Sequence, residues 1–170
     1  MTTLVIHPQD STTKFLSEIY FDKGWTVINT NTSKKILKQQ IKAHDRIVML
    51  GHGTKYGLIG YKKLVIDSSW VYLLREKECV CVWCNADEFV LKYGLTGLYT
   101  GMIISERDEA EMYSVDSRWM EIIESNILFA NALRRFIDSD NAVDKILGAY
   151  FGDTGVIRFN RERIYFKNKS

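Results

Sequence analysis

The sequence predicts an α/β fold with a mainly parallel central sheet and helices on both of its faces. Short apolar runs alternate with helical patterns through residues 3–105, and this order is typical of parallel strands joined by right-handed crossovers. Four of the predicted strands are almost wholly apolar, without a polar residue at every second position, as expected of strands covered on both faces. Beyond residue 117 the pattern becomes helical, so we expect a helical C-terminal part.

Each element is predicted from its periodicity and its turn residues. The predicted strands are TLVIH (3–7), WTVIN (25–29), RIVML (46–50), VCVW (80–83) and a fifth at 99–105. A small hairpin is predicted at 57–66, between the third and fourth strands. The predicted helices are one capped by Ser11, then 33–44, 67–76, 87–93 and the helical part at 117–147. The tail at 156–166 predicts a terminal hairpin that turns near Asn160.

The composition predicts one globular domain spanning residues 1–170. Hydrophobic residues make up 46% of the chain and charged residues 26%, which excludes a disordered or fibrous protein. No apolar run approaches the ~18 residues that a membrane-spanning helix needs, and the first residues lack the features of a secretory signal. A net charge of +2 is too small to favour nucleic acid or an anionic membrane as the partner. We therefore expect a cytoplasmic protein that binds neither nucleic acid nor membrane.

Three cysteines lie close together at Cys79, Cys81 and Cys84. An odd number within one apolar run is a poor disulfide framework and fits a reducing compartment. A zinc site usually needs two separated pairs of ligands, and the chain has no second Cys/His pair. We expect no metal and no other cofactor, and we interpret Cys79 and Cys81 as buried core residues.

His52 and Cys84 follow two predicted strands. His52 lies between Gly51 and Gly53 after RIVML, and Cys84 comes directly after VCVW. Because parallel strands end at one edge of a sheet, we expect the imidazole and the thiol to meet there. Such a pair can perform acyl transfer, with the backbone N–H groups of Gly53 and Cys84 as an oxyanion hole. The helix that begins after Cys84 is expected to lower the pKa of its thiol.

The segments IVMLGHG and VCVWCNA resemble the histidine and cysteine blocks of the caspase-like (clan CD) cysteine peptidases, and look most like those of the bacterial CHAT and clostripain-type members. The resemblance implies a three-layer caspase-haemoglobinase-like fold. It also implies a cysteine endopeptidase with a regulatory or self-processing role, in which Cys84 is the nucleophile and His52 the general base and acid. The chain departs from the family at Trp83, where a small residue usually precedes the nucleophile.

The same resemblance implies where a protein or peptide substrate would bind. In this family the side chain that precedes the cut bond is held by the loop after the first strand and by the end of the strand after the nucleophile. These regions correspond to His7 and Asp10, and to Ser105 and Glu106. Acidic groups there would favour Arg or Lys in the substrate.

Two other functions stay open at this point. An inactive caspase-like domain could serve as a protein-binding or regulatory module, with Trp83 or Tyr56 filling the pocket. A flavodoxin-like or nucleotide-binding domain would share the topology. Its first strand-to-helix turn, HPQDSTT, contains no glycine and therefore neither a P-loop nor a GxGxxG motif.

Overall fold

Six strands form a central sheet in which five run parallel and the last runs antiparallel. The structure is a computed structural model that describes residues 1–169. The strands are β1 (Thr3–Ile6), β2 (Thr26–Ile28), β3 (Arg46–Leu50), β4 (His52–Thr54), β5 (Gly57–Gly60), β6 (Lys63–Ile66), β7 (Glu78–Val82), β8 (Thr96–Thr100) and β9 (Ile164–Lys167). The central sheet has the order β2-β1-β3-β7-β8-β9. The predicted α/β class and mainly parallel sheet are confirmed.

Helices cover both faces of this sheet. The α-helices are α1 (Lys34–Ala43), α2 (Val71–Leu74), α3 (Ala86–Tyr93), α4 (Arg107–Met112), α5 (Trp119–Phe136), α6 (Ala142–Ala149) and α7 (Gly155–Arg161). Two 3-10 helices, Lys14–Tyr20 and Ser68–Trp70, complete the set. The long α5 and the shorter α6 account for most of the predicted helical C-terminal part.

The core consists of two apolar layers, one on each face of the sheet. Val48 of β3 belongs to the layer that contains Phe129 of α5. Its neighbour Ile47 points the other way, into the layer formed with Ile41 of α1 and Phe89 of α3. Alternate residues of one strand are thus buried on opposite faces, which explains why the strand sequences are continuously apolar.

A second, three-stranded antiparallel sheet of β4, β5 and β6 projects from the carboxyl end of β3. The hairpin predicted at 57–66 is confirmed as β5 and β6. The sequence did not predict that His52–Thr54 would pair with β5 as a third strand. His52 therefore lies where the two sheets meet.

The first predicted helix differs from the structure. The segment is a 3-10 helix, Lys14–Tyr20, and Ser11 lies in the turn before it. Asp10 organises this turn, because its Oδ1 accepts hydrogen bonds from the backbone N–H groups of Thr12 (2.9 Å) and Thr13 (3.0 Å). These hydrogen bonds hold residues 10–13 in a turn, whereas the sequence predicted that Ser11 would be the N-cap of a helix.

The fifth strand begins and ends earlier than predicted, at Thr96–Thr100. Gly97 has a φ of +117° and lies so close to β7 that a Cβ atom would come within 1.9 Å of the Cys79 carbonyl oxygen. Only glycine fits there. The predicted strand residues beyond Gly101 instead form the loop that leads to α4.

The predicted terminal hairpin at 156–166 is wrong, because the segment forms α7 followed by the single strand β9. Thr154 caps α7 by accepting a hydrogen bond from the N–H of Ile157 (3.4 Å). Asn160, the predicted turn residue, is buried, and its side chain pairs with the backbone N–H (2.8 Å) and carbonyl oxygen (2.9 Å) of Ile104. Asn160 therefore lies within α7, with its side chain packed against the backbone of Ile104, and does not form a turn.

In residues 1–169, no helix combines the length and the apolar character that crossing a bilayer demands.

Candidate active site

His52 and Cys84 emerge at the same edge of the central sheet. Strands β3 and β7 are parallel neighbours in which Leu50 lies opposite Val82, so each candidate residue stands two positions beyond a strand end. The N–H of Gly51 donates to the carbonyl oxygen of Val82 (3.1 Å), which extends the pairing by one residue. The structure brings the two side chains to one edge, as the sequence predicted.

Both residues line one small cavity of about 30 Å³. Its walls include the apolar side chains of Phe15, Ile103 and Phe129. A cavity of this size has room for one or two water molecules. Among the described residues, no hydrogen bond joins the imidazole to the thiol, and each group has its own polar partners.

The His52 ring is contacted at Nε2 by the loop that follows β1. The hydroxyl oxygen of Thr12 lies 2.7 Å from Nε2, and Oδ2 of Asp10 lies 3.1 Å from the same atom. Asp10 was predicted as a substrate contact, whereas the structure places its carboxylate against the candidate base. The two elements that hold the ring are therefore β4 and the turn at residues 10–13.

The Cys84 thiol faces the segment that leads from β8 into α4. Its Sγ lies 3.6 Å from the carbonyl oxygen of Ile103 and 3.8 Å from Oε1 of Glu109. Burial raises the pKa of Cys84 to about 12, and the negative charge of Glu109 adds to the increase. The prediction that this pKa is lowered is wrong, because burial, the largest cause, raises it.

Glu109 also builds the segment that covers the thiol. Its Oε2 accepts hydrogen bonds from the backbone N–H groups of Ser105 (2.7 Å) and Glu106 (3.0 Å), the latter as part of a capping box that begins α4. One carboxylate therefore holds the segment in place with one oxygen and contacts the thiol with the other.

Gly53, predicted to supply an oxyanion-hole N–H, lies in β4 against the indole of Trp83. A Cβ atom on Gly53 would come within 2.1 Å of Cδ1 of Trp83. The Trp83 Nε1–H donates to the carbonyl oxygen of Thr54 (3.0 Å), and the side chain is only 2% exposed. The unexpected tryptophan thus attaches β4 to the central sheet. Tyr56, the other residue predicted to fill the pocket, is 61% exposed and is not among the described residues that line the cavity.

The predicted substrate contacts divide into two groups. Ser105 lines the cavity, and Glu106 lies close enough to His52 and Asp10 to interact with their charges. His7 is fully buried, its Nδ1 lies 3.0 Å from the hydroxyl of Tyr20, and burial lowers its pKa to about 4. His7 is therefore an interior residue, and its prediction as a substrate contact is wrong.

Sequence reasoning missed Thr12 and Glu109. Thr12 follows Asp10 in a D-S-T-T run that is typical of a side-chain-stabilised turn. Glu109 stands three residues after Glu106, the spacing of a capping box. Both patterns predict local structure, but neither one indicates that the side chain also reaches a histidine or a cysteine from another strand.

The other two cysteines are core residues, as interpreted from the sequence. Cys79 and Cys81 are buried, and burial raises the pKa of both thiols. Within residues 1–169, no group of three or more His, Cys, Asp or Glu side chains is arranged to hold a metal ion.

Neither a model of a known protein family nor a curated protein matches the sequence of this chain.

Proposed function

We propose that this protein is a cysteine endopeptidase of the caspase-like fold, with Cys84 as its nucleophile and His52 as its general base and acid. The observation that carries the proposal is that the two residues follow adjacent parallel strands and line one cavity. This is the arrangement that the resemblance of the two sequence blocks implies. Three structural layers with a mainly parallel sheet support the same fold.

The reaction is an acyl transfer in two steps. The Cys84 thiol gives its proton to His52, and the sulfur attacks the carbonyl carbon of the substrate peptide bond. His52 then protonates the departing amine as the C–N bond breaks, which leaves a thioester on Cys84. In the second step His52 takes a proton from water, the hydroxide attacks the thioester, and the carboxylic acid product leaves with the thiol restored.

The resting thiol is neutral, because its pKa of about 12 lies far above neutral pH. Attack therefore requires that substrate binding brings the thiol within reach of His52 and away from Glu109. The cavity that His52 and Cys84 both line has room for a water molecule, which offers one path for the proton from the thiol to the imidazole. Gly53 and Cys84 supply the backbone N–H groups proposed for the oxyanion hole.

The charges around the site favour a basic substrate side chain. Glu106 and Asp10 lie close to His52, and Glu109 lies beside Cys84. Acidic groups at the mouth of a site attract Arg or Lys by charge complementarity. The proposed substrates are proteins or peptides with Arg or Lys before the cut bond, held by Ser105 and Glu106.

Labelling by a peptide with a thiol-reactive group tests the proposal. A peptidyl acyloxymethyl ketone that carries Arg should label the wild-type protein at Cys84, and a peptide library analysed by mass spectrometry should show cleavage after basic residues. Cys84→Ala should abolish both activities without loss of folding, because the side chain is small and lies at the margin of the core.

Cys79→Ala is the matched control, since it removes a buried sulfur from the same strand region and should leave labelling intact. Cleavage that persists in Cys84→Ala would disprove the proposed nucleophile.

A second candidate function is an inactive caspase-like module that binds a protein partner. The observation that favours it is the neutral thiol paired with Ile103 and Glu109 in place of His52. In that case the wild-type protein would remain unlabelled by the peptide reagent, although a small reagent such as iodoacetamide would still modify Cys84 slowly.

A further inference from the structure

We propose that Asp10 is a positioning residue that holds the His52 ring with Nε2 protonated and Nδ1 free. The inference rests on the proposed function, because only there does the ring have a reaction to perform. The family resemblance implied that Asp10 contacts the substrate, whereas the structure shows its carboxylate in contact with the imidazole. The pairing turns the Cys–His dyad into a set of three residues in which each has its own task.

The two atoms that contact Nε2 determine the tautomer of the ring. Oδ2 of Asp10, 3.1 Å away, belongs to a carboxylate that can only accept hydrogen bonds. The Thr12 hydroxyl donates to Oδ1 of Asp10 (2.8 Å) and therefore presents a lone pair to Nε2 at 2.7 Å. A lone pair on Nε2 would face the Asp10 carboxylate, so a hydrogen on Nε2 suits both neighbours and the lone pair of the neutral ring lies on Nδ1.

The carboxylate is itself fixed in place, which a positioning residue needs. Oδ1 of Asp10 accepts hydrogen bonds from the backbone N–H groups of Thr12 (2.9 Å) and Thr13 (3.0 Å). Burial acts to raise the pKa of Asp10, but the hydrogen bonds from Thr12 and Thr13, together with the charge of His52, lower it overall. Asp10 is therefore ionised at neutral pH, with one oxygen committed to the turn and the other directed at the ring.

An ionised partner at Nε2 also supports the chemistry at Nδ1. When His52 accepts the proton of Cys84, the imidazolium that forms lies beside a negative charge, which stabilises it. Glu106, at the beginning of α4, also has a charge that acts on His52, but no hydrogen bond joins these two side chains in residues 1–169. Contact, and not charge alone, therefore distinguishes Asp10 from Glu106.

Nitrogen-15 NMR of the His52 ring tests this role without any substrate. At pH 8 the wild-type ring should show the Nε2–H tautomer. In Asp10→Asn the amide oxygen can keep the bonds to the turn while the NH₂ group faces Nε2, which favours the Nδ1–H tautomer. Glu106→Gln is the matched control: it removes a nearby charge but no contact, and the tautomer should remain Nε2–H.

The kinetic counterpart is a loss of turnover. In Ser-His-Asp hydrolases, the wrong tautomer of this kind lowers kcat by about 10⁴. A thiol depends less on its base, so Asp10→Asn should lower kcat at least ~10-fold, with a smaller change in KM and with an altered pH profile of kcat/KM. A mere loss of folding would instead lower the active fraction and leave the shape of the pH profile unchanged.

Either of two results would overturn the inference. One is an Nδ1–H tautomer in the wild-type protein, which can be read even if Asp10→Asn does not fold. The other is an Nε2–H tautomer that persists in folded Asp10→Asn. A wild-type protein that shows the Asp10-dependent tautomer but cuts no peptide would support the pairing and refute the proposed peptidase, so the two failures are distinguishable.

Discussion

The surroundings of Cys84 favour the neutral thiol over the thiolate. Burial is the larger cause of its raised pKa, and the carboxylate of Glu109, 3.8 Å from the sulfur, is the next. The backbone of Ile103 acts in the opposite direction and lowers the pKa of Cys84, but its effect is smaller than those of burial and of the Glu109 charge. A protein with this resting state avoids unselective reaction with thiol reagents, because the thiolate is the reactive form.

Glu109→Gln should make Cys84 more reactive. The substitution removes a negative charge that disfavours the thiolate, so the pKa of Cys84 should fall and the rate of alkylation at pH 8 should rise. One pKa unit corresponds to about tenfold in thiolate population, and because burial remains, we expect a rise of ~3- to 10-fold. The measurement is iodoacetamide modification over a pH series, with the modified cysteine identified by mass spectrometry.

Glu111→Gln serves as the control for this series. Glu111 lies in the same helix, is exposed and pairs with Arg107, so its loss should leave the alkylation rate unchanged. Because the glutamine at 109 can still accept hydrogen bonds from Ser105 and Glu106, the segment should keep its shape. An alkylation rate equal to that of the wild type would show that burial alone sets the pKa.

Strand β4 is positioned by the contact between Gly53 and Trp83. The indole lies under the strand and donates its N–H to Thr54, while Gly53 allows the backbone to approach the ring. Because His52 is the first residue of β4, this contact also determines where the imidazole lies. The tryptophan that departs from the caspase-like pattern thus has a structural role beside the site.

Gly53→Ala should destabilise the protein and displace His52. The added methyl group would overlap Cδ1 of Trp83 at 2.1 Å and the carbonyl oxygen of Gly57 at 2.7 Å, and Trp83 is too deeply buried to move aside easily. Overpacking of this kind costs about 1–3 kcal/mol. Urea denaturation gives the free energy of unfolding, and labelling of Cys84 reports the loss of the site.

Gly148→Ala is the control for Gly53→Ala, because it adds the same methyl group at a site where we expect no loss of stability. Gly148 lies within α6, and a Cβ atom there meets no heavy atom within 4 Å. Alanine is favoured over glycine in a helix by up to about 1 kcal/mol, so this variant should be as stable as the wild type or more stable. Equal destabilisation by both substitutions would contradict the role given to Trp83.

The stability of the whole molecule depends on the neutral state of His7. Its ring is fully buried, accepts or donates one hydrogen bond at Tyr20 and packs edge-to-face against that ring. Burial lowers the pKa of His7 to about 4, although the Thr13 backbone and Asp10 act in the opposite direction. In the unfolded chain the same ring takes up a proton near pH 6.5.

Acid should therefore destabilise the protein through His7. Above pH 6.5 the ring is neutral in both states. As the pH falls from 6.5 to about 4 the unfolded chain binds a proton that the folded protein does not, so stability decreases over this range by an amount on the order of 3 kcal/mol. Urea denaturation gives the free energy of unfolding at pH 7.5 and at pH 4.5. The decrease between these two pH values should be about 2 kcal/mol smaller in His7→Gln than in the wild type. The same loss in both proteins would contradict the assignment to His7.

Several features of this protein were determined by the sequence itself. Continuous apolar runs such as RIVML and VCVW predict buried parallel strands, because strands covered on two faces have no polar face to show. His52 and Cys84 directly follow two such strands, and the ends of parallel strands meet at one edge. The mainly parallel sheet and the placement of the candidate pair at one of its edges therefore followed from local pattern and chain connectivity.

Other features were decided only by the tertiary structure, because they depend on contacts between residues far apart in the chain. Asn160 looked like a turn residue, but its amide is satisfied by the backbone of Ile104, and so its segment is the helix α7. Asp10 and Glu109 formed recognisable local turns and caps, yet their second oxygens reach His52 and Cys84. Each carboxylate has two oxygens. The local sequence pattern predicts the partner of one oxygen, whereas the partner of the other is a residue that only the fold brings close.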